Sequence, residues 1–204
     1  MLLQLLDYLG VGVFAVAGSI VASRKGLDFI AFLFFATLTG IGGGTLRDLL
    51  LGVPVFWIKS DGYLLVCLAV SILMWFFAHI VEGFRKPLRW ADAIGMAAYS
   101  VMGAAKALSI GDTAFVAVAM GVATATFGGV LRDVVAGEPS AIVKQEVYVS
   151  AAFAGAGSYV VLNYLGLGNW YAAGIAALLA LCLRGGAIEF GWSLPSYSKS
   201  TKGA

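Results

Sequence analysis

The sequence has few charged residues, and this shortage decides the class of protein. Lysine, arginine, aspartate and glutamate together make up 12% of its 204 residues, about half the share found in a typical soluble domain. Such a chain cannot cover itself with a polar surface, so an ordinary soluble domain is excluded. Hydrophobic residues make up 61% of the chain, and lipid is therefore the expected solvent.

Cysteine and histidine are also scarce. Cys67 and Cys182 lie far apart in apolar stretches without the spacing of metal ligands, so we expect two buried thiols rather than a metal site. His79 is the single histidine and has no set of acidic or cysteine ligands beside it. The sequence contains no Ser-His-Asp arrangement, Walker loop or HExxH motif. We therefore expect no catalytic residue, no metal and no cofactor, and the protein is not expected to be an enzyme.

Clusters of basic residues are missing as well. Thirteen lysines and arginines against eleven aspartates and glutamates give a net charge of +2. No basic run with interleaved aromatic residues occurs, and such runs are typical of nucleic-acid binding. Nucleic acid is therefore not an expected partner.

Long apolar stretches dominate what is present. A membrane-spanning helix needs about 20 residues, and turn residues and charges divide the chain into seven stretches of that order. The predicted spans cover about 5–23, 27–51, 61–81, 90–109, 112–136, 146–164 and 168–187. We therefore expect an all-α membrane protein whose residues 1–204 form a single transmembrane domain, with a polar tail at 193–204.

The sequence repeats itself at an offset of 85 residues, the separation of Asp7 from Asp92. The same offset, without a gap, aligns Gly10 with Gly95, Gly18 with Gly103, Gly43 with Gly128, Arg47 with Arg132, Asp48 with Asp133, Pro54 with Pro139 and Tyr63 with Tyr148. Apolar sequences match themselves by chance chiefly at Ala, Leu and Val. Matches at Gly, Pro, Asp, Arg and Tyr therefore indicate a genuine internal repeat.

Each copy of this repeat contains three of the predicted spans. Repeat one covers about 5–81, repeat two covers about 90–164, and the seventh helix at about 168–187 has no partner. Because three is an odd number, the second copy enters the membrane from the opposite side. The sequence thus predicts seven transmembrane helices, arranged as two inverted three-helix repeats plus a seventh helix.

The distribution of lysine and arginine predicts the orientation. If the spans alternate, one side of the membrane receives most of these residues, namely Arg24, Lys25, Arg85, Lys86, Arg89, Lys144, Arg184, Lys199 and Lys202. The positive-inside rule makes that side cytoplasmic. We expect a multi-pass protein of the cell's inner (plasma) membrane, with its N-terminus outside and its C-terminus in the cytoplasm.

A Gly-Gly-x-Leu-Arg-Asp motif occurs once in each repeat, within the second and fifth spans. Glycine weakens a helix and a charge in hydrocarbon is costly, so the motif points to two broken helices. We expect kinks that line a polar path at Gly42, Gly43, Gly44, Gly128 and Gly129. The alternative is tight helix packing, which we prefer for Gly10, Gly18, Gly95 and Gly103.

The charged residues of the motif need partners. Adjacent residues do not face each other on a helix, so neither Arg47–Asp48 nor Arg132–Asp133 is an expected pair. Their depth in the membrane instead predicts an Asp7–Arg47 pair near the outer boundary. The repeat then predicts an Asp92–Arg132 pair near the inner face. These six charges either line a pore or only brace the helices.

Other polar residues in the spans are weaker candidates. Lys106, whose counterpart in repeat one is Val21, either extends to the interface or faces a cavity, where its charge would respond to membrane voltage. Four hydroxyl residues are candidates for a polar pore wall, namely Ser19, Thr39, Ser100 and Thr126. Hydroxyls in membrane helices usually bond back to their own helix, however.

These motifs resemble the prokaryotic members of the trimeric intracellular cation (TRIC) channel family. The resemblance rests on Gly-Gly-Gly-Thr-Leu-Arg-Asp at 42–48, on Phe-Gly-Gly-Val-Leu-Arg-Asp at 127–133 and on the three-plus-three-plus-one layout. It covers the chain from about Asp7 to Arg184. Related bacterial proteins with the same paired domain are described as glycine transporters.

The resemblance implies a homotrimer in membrane lipids, with one pore in each subunit for the monovalent cations K⁺ and Na⁺. The second and fifth spans, kinked at their glycines, would open or close that pore. The animal relatives have a basic residue linked to voltage sensing in the fourth span, and Lys106 is the candidate for it here.

Three hypotheses follow. Inverted repeats with broken helices are typical of secondary transporters, so residue patterns alone slightly favour a transporter of a small amino acid such as glycine. The family resemblance favours a passive cation channel instead. In the third hypothesis the polar groups only hold helices together, and the protein transports nothing.

Overall fold

The computed structural model describes residues 2–82, 86–143 and 146–195. Over these residues the chain forms eight helices, which are α1 (Leu2–Arg24), α2 (Phe29–Leu50), α3 (Phe56–Lys59), α4 (Gly62–Glu82), α5 (Pro87–Ser109), α6 (Ala114–Ala136), α7 (Val149–Tyr164) and α8 (Asn169–Phe190). Long helices cover all seven predicted stretches, whereas α3 lies in a predicted connection. Arg85, Lys144 and residues 196–204 of the polar tail lie outside the described residues.

The long helices have the surface of a membrane protein. Four of them, α2, α4, α6 and α8, are long and apolar enough to cross a membrane by length and composition. Helix α4 buries only a narrow stripe that includes Tyr63 and Met74, and it exposes Leu65 and Phe76 on its other faces. Cys67 is buried as expected, but Cys182 is exposed on α8, so the expectation of two buried thiols was wrong. A thiol behaves as a small apolar group, and an outward face of an apolar helix accommodates it.

The helix ends repeat between the two halves of the chain. Asp28 caps α2 by accepting a hydrogen bond from the Ala31 backbone N–H, and Thr113 caps α6 by accepting one from Val116. The glycine two residues before each cap, Gly26 or Gly111, has a positive φ. The same local chemistry therefore starts both helices that carry the Gly-Gly motif.

The packing of the helices repeats as well. In the first half α1 packs against α2 and α4, and in the second half α5 packs against α6 and α7. The halves meet through α1 with α5 and through α2 with α6, so each helix at this interface contacts its own counterpart. Helix α8 packs against α5 and α7.

Close contacts across the interface are reciprocal. Gly10 of α1 lies under the ring of Tyr99 on α5, and Gly95 of α5 lies under the ring of Phe14 on α1. Any side chain at either glycine would meet the opposite ring at less than 3 Å. The packing role expected for these two glycines is confirmed.

Candidate functional site

Helices α2 and α6 run unbroken through their Gly-Gly motifs. Residues 29–50 and 114–136 are α-helical throughout, so neither helix is interrupted at its motif, and a bend at these glycines stays a prediction. The glycines keep the helical hydrogen bonds. Their missing side chains instead allow α2 and α6 to approach each other closely, which is the alternative role of such glycines in membrane helices.

The approach is closest at two equivalent points, which we call the crossing. Gly43 of α2 lies against the backbone carbonyl of Thr124 on α6, and Gly128 of α6 lies against the carbonyl of Thr39 on α2. At both glycines a Cβ atom would overlap that carbonyl oxygen. Since residue 43 meets 124 and residue 39 meets 128, the two helices run antiparallel at the crossing.

Helices α1 and α5 close the crossing from the sides. Gly18 of α1 lies against Phe35 and Thr39 of α2. In the equivalent contact, Gly103 of α5 lies against Met120 and Thr124 of α6. Each threonine is therefore held between glycines of two neighbouring helices. The packing role expected for Gly18 and Gly103 is confirmed.

The remaining motif glycines face different neighbours. Gly44 lies under the ring of Phe56, and Gly129 lies beside Asp92 and the Tyr148 hydroxyl. Gly42 lines an apolar groove of about 370 Å³ between α2 and α6 that also includes Trp57 and Leu131. Among the nearest neighbours of these three glycines in the described residues, charged side chains occur at Gly129.

Past one end of the crossing lies the first charge cluster, formed by Asp7, Arg47, Asp48 and Lys106. Asp48 is fully buried. Its Oδ1 accepts hydrogen bonds from Arg47 Nε at 2.7 Å and from Lys106 Nζ at 2.6 Å. Its Oδ2 accepts the backbone N–H of Phe56 at 2.9 Å. One carboxylate thus joins α2, the start of α3 and, through Lys106, helix α5.

Past the other end lies the second charge cluster, formed by Asp92, Arg132 and Asp133. Arg132 donates from Nε to Asp133 Oδ1 at 2.9 Å and from Nη1 to Asp92 Oδ1 at 3.0 Å. The Arg132–Asp92 pair joins α6 to α5, and these two residues are the pair that the sequence predicted. A separate ion pair at 2.6 Å ties Arg184 of α8 to Glu146.

The expectation that adjacent Arg and Asp residues do not pair was wrong in both clusters. The arginine side chain is long enough to fold back along its own helix and reach the next residue. Burial favours this pairing of arginine with the adjacent aspartate, because an unpaired charge away from water is costly. The helix rule describes exposed pairs at the spacing of one turn, and it does not exclude such local folding.

The expected Asp7–Arg47 pair is absent from the contacts of the described residues. Asp7 instead accepts a hydrogen bond from the Tyr63 hydroxyl at 3.0 Å, and its other oxygen has no partner among those residues. Arg47 stays with Asp48. The repeats also differ in that Lys106 binds Asp48, whereas its counterpart Val21 brings no charge to Asp133.

The second charge cluster opens into a cavity of about 470 Å³, which we call the charged cavity. Asp92, Arg132 and Asp133 line it, together with Arg184, Glu146, Val21 and Ala141. The rim adds Arg24, Lys25, Lys86, Arg89 and Glu138. Six basic and four acidic side chains therefore meet around this space.

The four hydroxyl candidates are all buried. Thr39, Ser100 and Thr126 donate to carbonyls of their own helices, at Phe35, Ala97 and Val122 respectively. Ser19 Oγ has no hydrogen-bond partner within the described part of the chain. Thr39 lies at the crossing, whereas Ser100 faces Gly155 of α7.

Sequence reasoning missed three contributors to this site. The short helix α3 was treated as a connection, although Phe56 packs on Gly44 and Trp57 Nε1 donates to Thr45 Oγ1 at 2.9 Å. Glu146 was treated only as the start of a predicted span, and Arg184 only as an orientation marker. The pair of aromatic residues that follows Pro54 and Val55 was the one available signal for α3.

Comparisons with known proteins agree with the repeat and the fold. A family model described as Glycine transporter matches the chain twice, at residues 4–79 and 89–164. A UPF0126 membrane protein of Vibrio cholerae is 37% identical over 97% of this chain and 83% of its own length. The UPF0126 inner membrane protein YadS of Escherichia coli is 32% identical over the full length of both chains.

The fold of the chain also matches that of a solved structure. The TRIC trimeric intracellular cation channel orthologue from Rhodobacter sphaeroides superposes with a TM-score of 0.90 at 43% identity, over 94% of this chain and 99% of that one. This fold belongs to channels and transporters rather than to an enzyme family. The chain therefore belongs to the family described as Glycine transporter and to the prokaryotic TRIC family, as its motifs indicated, and it is a multi-pass membrane protein.

Proposed function

We propose that the protein is a passive channel for monovalent cations, K⁺ and Na⁺, with one pore in each subunit of a homotrimer. The observation that carries this proposal is the antiparallel crossing of α2 and α6 between two buried charge clusters. Arg47 and Arg132 lie on opposite sides of the crossing, roughly 18 Å apart along the helices at 1.5 Å per residue. Buried charges on both sides of a close, glycine-lined contact suit a gated path for ions.

The proposed architecture is a pair of inverted repeats. The long helices α1, α2 and α4 form repeat one, α5, α6 and α7 form repeat two, and α8 is the seventh span. The reciprocal contacts of Gly43 and Gly128 support this arrangement, because two equivalent helices that meet antiparallel are related by a two-fold axis across them. The double match of the family model at the offset of 85 residues supports it as well.

The gate in this proposal is the crossing itself. With Gly43 on the Thr124 carbonyl and Gly128 on the Thr39 carbonyl, no ion fits between α2 and α6. Opening requires the two helices to separate, and bending at the glycines, which are poor helix formers, is the lowest-cost route. Separation would expose the Thr39 and Thr124 hydroxyls to the path.

Charge is distributed unevenly along the proposed path. Lys106 lies on Asp48 with its side chain 30% exposed, so a change of membrane voltage would act on the bond between α5 and α2. The charged cavity carries more basic than acidic groups, and this excess lowers the cation concentration at that mouth. Conduction should therefore rise when basic rim residues are neutralised.

We place the charged cavity on the cytoplasmic side of the inner membrane. Arg24, Lys86 and Arg89 lie at that end, and the positive-inside rule then sets the C-terminus in the cytoplasm and the N-terminus outside. The name of the Escherichia coli relative supports the inner membrane as the location. The name of the Rhodobacter sphaeroides relative supports the trimer.

A second candidate is a secondary transporter of a small amino acid such as glycine. The description of the matching family model favours it, and inverted repeats are common in transporters. Both a channel and a transporter could use a crossing of α2 and α6 that alternates between a closed and an open state. The two differ in whether transport saturates and follows the glycine gradient.

Parallel measurements on purified protein in liposomes test the proposal. A channel gives K⁺ efflux that is driven by the gradient and does not need glycine. Saturable uptake of labelled glycine without cation current would favour the transporter. Liposomes that pass neither solute would support a scaffold without transport.

A further inference from the structure

We infer that Glu146, paired with Arg184 of α8, gives the charged cavity its preference for cations over anions. This inference rests on the proposed function, because it takes the charged cavity as part of the ion path. It starts from Arg184, a buried arginine on the long helix that lies outside both repeats.

Arg184 contacts a tyrosine whose counterpart in repeat one has an aromatic neighbour. There the ring of Tyr63 stacks on that of Tyr8, with the two centroids 4.2 Å apart. At the offset of 85 residues Tyr63 corresponds to Tyr148, but Tyr8 corresponds to the much smaller Ala93. In repeat two the Arg184 guanidinium carbon lies over the ring of Tyr148, 5.0 Å from its centroid. Helix α8 therefore brings a positive charge to the second charge cluster.

Glu146 is the carboxylate that balances this charge. Its Oε2 lies 2.6 Å from Arg184 Nη2, and its Oε1 lies 3.8 Å from Nη2 of Arg89 at the rim. An isolated antiparallel bridge joins the backbone of Glu146 to Ser193, which follows α8. Asp61, the counterpart of Glu146 in repeat one, is exposed. Helix α8 and the segment after it thus hold Glu146 at the cavity.

The inner wall of the charged cavity consists of the charged lining side chains that are at most 22% exposed, namely Asp92, Arg132, Asp133, Glu146 and Arg184. Among the described residues, three carboxylates therefore face two guanidinium groups there. Salt screens the exposed charges of the rim, but it screens buried charges much less. A cavity wall of one net sign concentrates ions of the opposite sign, so this wall favours cations. Without Glu146 its charges would cancel.

A single thiol in the cavity measures this preference without any ion current. Ala141 lines the cavity, and Ala141→Cys is made in a Cys182→Ala background, in which Cys67 stays buried. The purified protein reacts with two thiosulfonate reagents, one carrying a trimethylammonium group and the other a sulfonate group, and mass spectrometry gives both rates. Glu146→Gln should lower the ratio of the cationic to the anionic rate about tenfold, because one wall charge acts with opposite sign on the two reagents.

Removing Arg184 as well should reverse the effect. In the Glu146→Gln, Arg184→Gln protein two carboxylates face one guanidinium group, so the ratio should return to about its native value. Arg184→Gln alone should raise the ratio about tenfold, and this variant provides the test if Glu146→Gln does not fold. Asp61→Asn, the equivalent change in repeat one, is the matched control and should leave the ratio unchanged.

Three labelling results would overturn the inference. The first is an unchanged ratio in Glu146→Gln or in Arg184→Gln. The second is a double variant whose ratio stays as low as that of Glu146→Gln. The third is an equal decrease in Asp61→Asn, which would show that the effect does not come from the cavity wall.

Ion current separates the inference from the proposed function. The reversal potential in a KCl gradient across a lipid bilayer gives the permeability ratio of K⁺ to Cl⁻, which Glu146→Gln should lower several times and Asp61→Asn should not change. Labelling ratios that change as expected, with no current from any variant, would uphold the cation preference of the cavity and overturn the channel. A K⁺ current with both ratios unaffected by Glu146→Gln would uphold the channel and overturn the role of Glu146.

Discussion

Gly43 of α2 is in van der Waals contact with the backbone carbonyl of Thr124 on α6, so closely that position 43 has no room for a side chain. The equivalent contact of Gly128 with Thr39 repeats it on the other side of the interface. These two contacts hold the halves of the protein together at their centre. They also explain why the motif glycines lie inside unbroken helices.

Adding one methyl group at the crossing should destabilise the protein. Gly43→Ala or Gly128→Ala places a Cβ on a backbone oxygen that cannot move aside, so we expect a loss of about 1–3 kcal/mol for each. Gly174→Ala is the matched control, because nothing lies within 4 Å of the added Cβ in α8. There the better helix propensity of alanine should be neutral or stabilising. Thermal unfolding in detergent measures all three, and similar melting temperatures for the three variants would contradict the account.

The two equivalent aspartates, Asp7 and Asp92, should differ in their importance. Asp92 forms an ion pair with buried Arg132, whereas Asp7 accepts one hydrogen bond from Tyr63. Asp92→Asn removes one of the two charge partners of buried Arg132, which keeps Asp133, and should cost about 2 kcal/mol, the range of a hydrogen bond to a charged group. Asp7→Asn keeps an acceptor for Tyr63 and should cost about 1 kcal/mol or less. If chemical or thermal unfolding gave equal losses, the described asymmetry of the repeats would be incorrect.

Asp48 should be the more sensitive member of its pair with Lys106. Asp48→Asn removes the carboxylate that both Arg47 and Lys106 contact directly and should cost about 3 kcal/mol. Lys106→Gln removes a side chain that is 30% exposed, and Asp48 keeps Arg47, so we expect a loss of about 1 kcal/mol. In the Asp48→Asn background the Lys106→Gln change should cost nothing further, a coupling that a double-mutant cycle detects. Strictly additive losses would mean that the contact contributes no energy.

Neutralising a basic residue at the rim of the charged cavity should increase cation conduction. Arg89 has a side chain that is 52% exposed and lies 3.8 Å from Glu146, so Arg89→Gln changes local charge with little effect on packing. We expect higher K⁺ conductance at low ionic strength and a vanishing difference at about 1 M salt, where the Debye length falls to about 3 Å. Lys59→Gln, an exposed lysine of α3, is a control remote from this cavity. An increase that persists at high salt would show that the effect is not electrostatic.

Much of the architecture could be predicted from the sequence because it depends on local signals. The membrane spans were predicted from the length of the apolar stretches. The repeat was predicted from a constant offset between residues that are unusual in such stretches, such as Asp7 and Asp92. The Arg132–Asp92 contact was predicted through the repeat, from a pair of Asp7 with Arg47 that the structure does not contain among its described contacts. These signals need no knowledge of how side chains pack.

Other features depend on packing and could not be predicted. Whether a glycine bends a helix or admits a neighbour is decided by the surface opposite, and for Gly43 that surface is Thr124, a residue far away in sequence. Arg47 pairs with Asp48 and not with Asp7, and Asp48 also binds Lys106, a charge whose counterpart in repeat one is the apolar Val21. Phe56 was missed because a four-residue helix lies below the length at which periodicity can be recognised.

The central claim is that cations pass through each subunit when α2 and α6 separate at the crossing. A disulfide that prevents separation tests it most directly. Gly42 of α2 faces Leu131 of α6, because a Cβ at position 42 would lie 3.0 Å from Leu131 Cδ1. Gly42→Cys with Leu131→Cys, in a background of Cys67→Ala and Cys182→Ala, is assayed for K⁺ flux in liposomes before and after reduction. The account predicts little flux while the disulfide is formed and recovery of flux after reduction, with the unlinked single variants unaffected by the reductant. Equal K⁺ flux in the oxidised and reduced protein, with the cross-link verified by mass spectrometry, would contradict it.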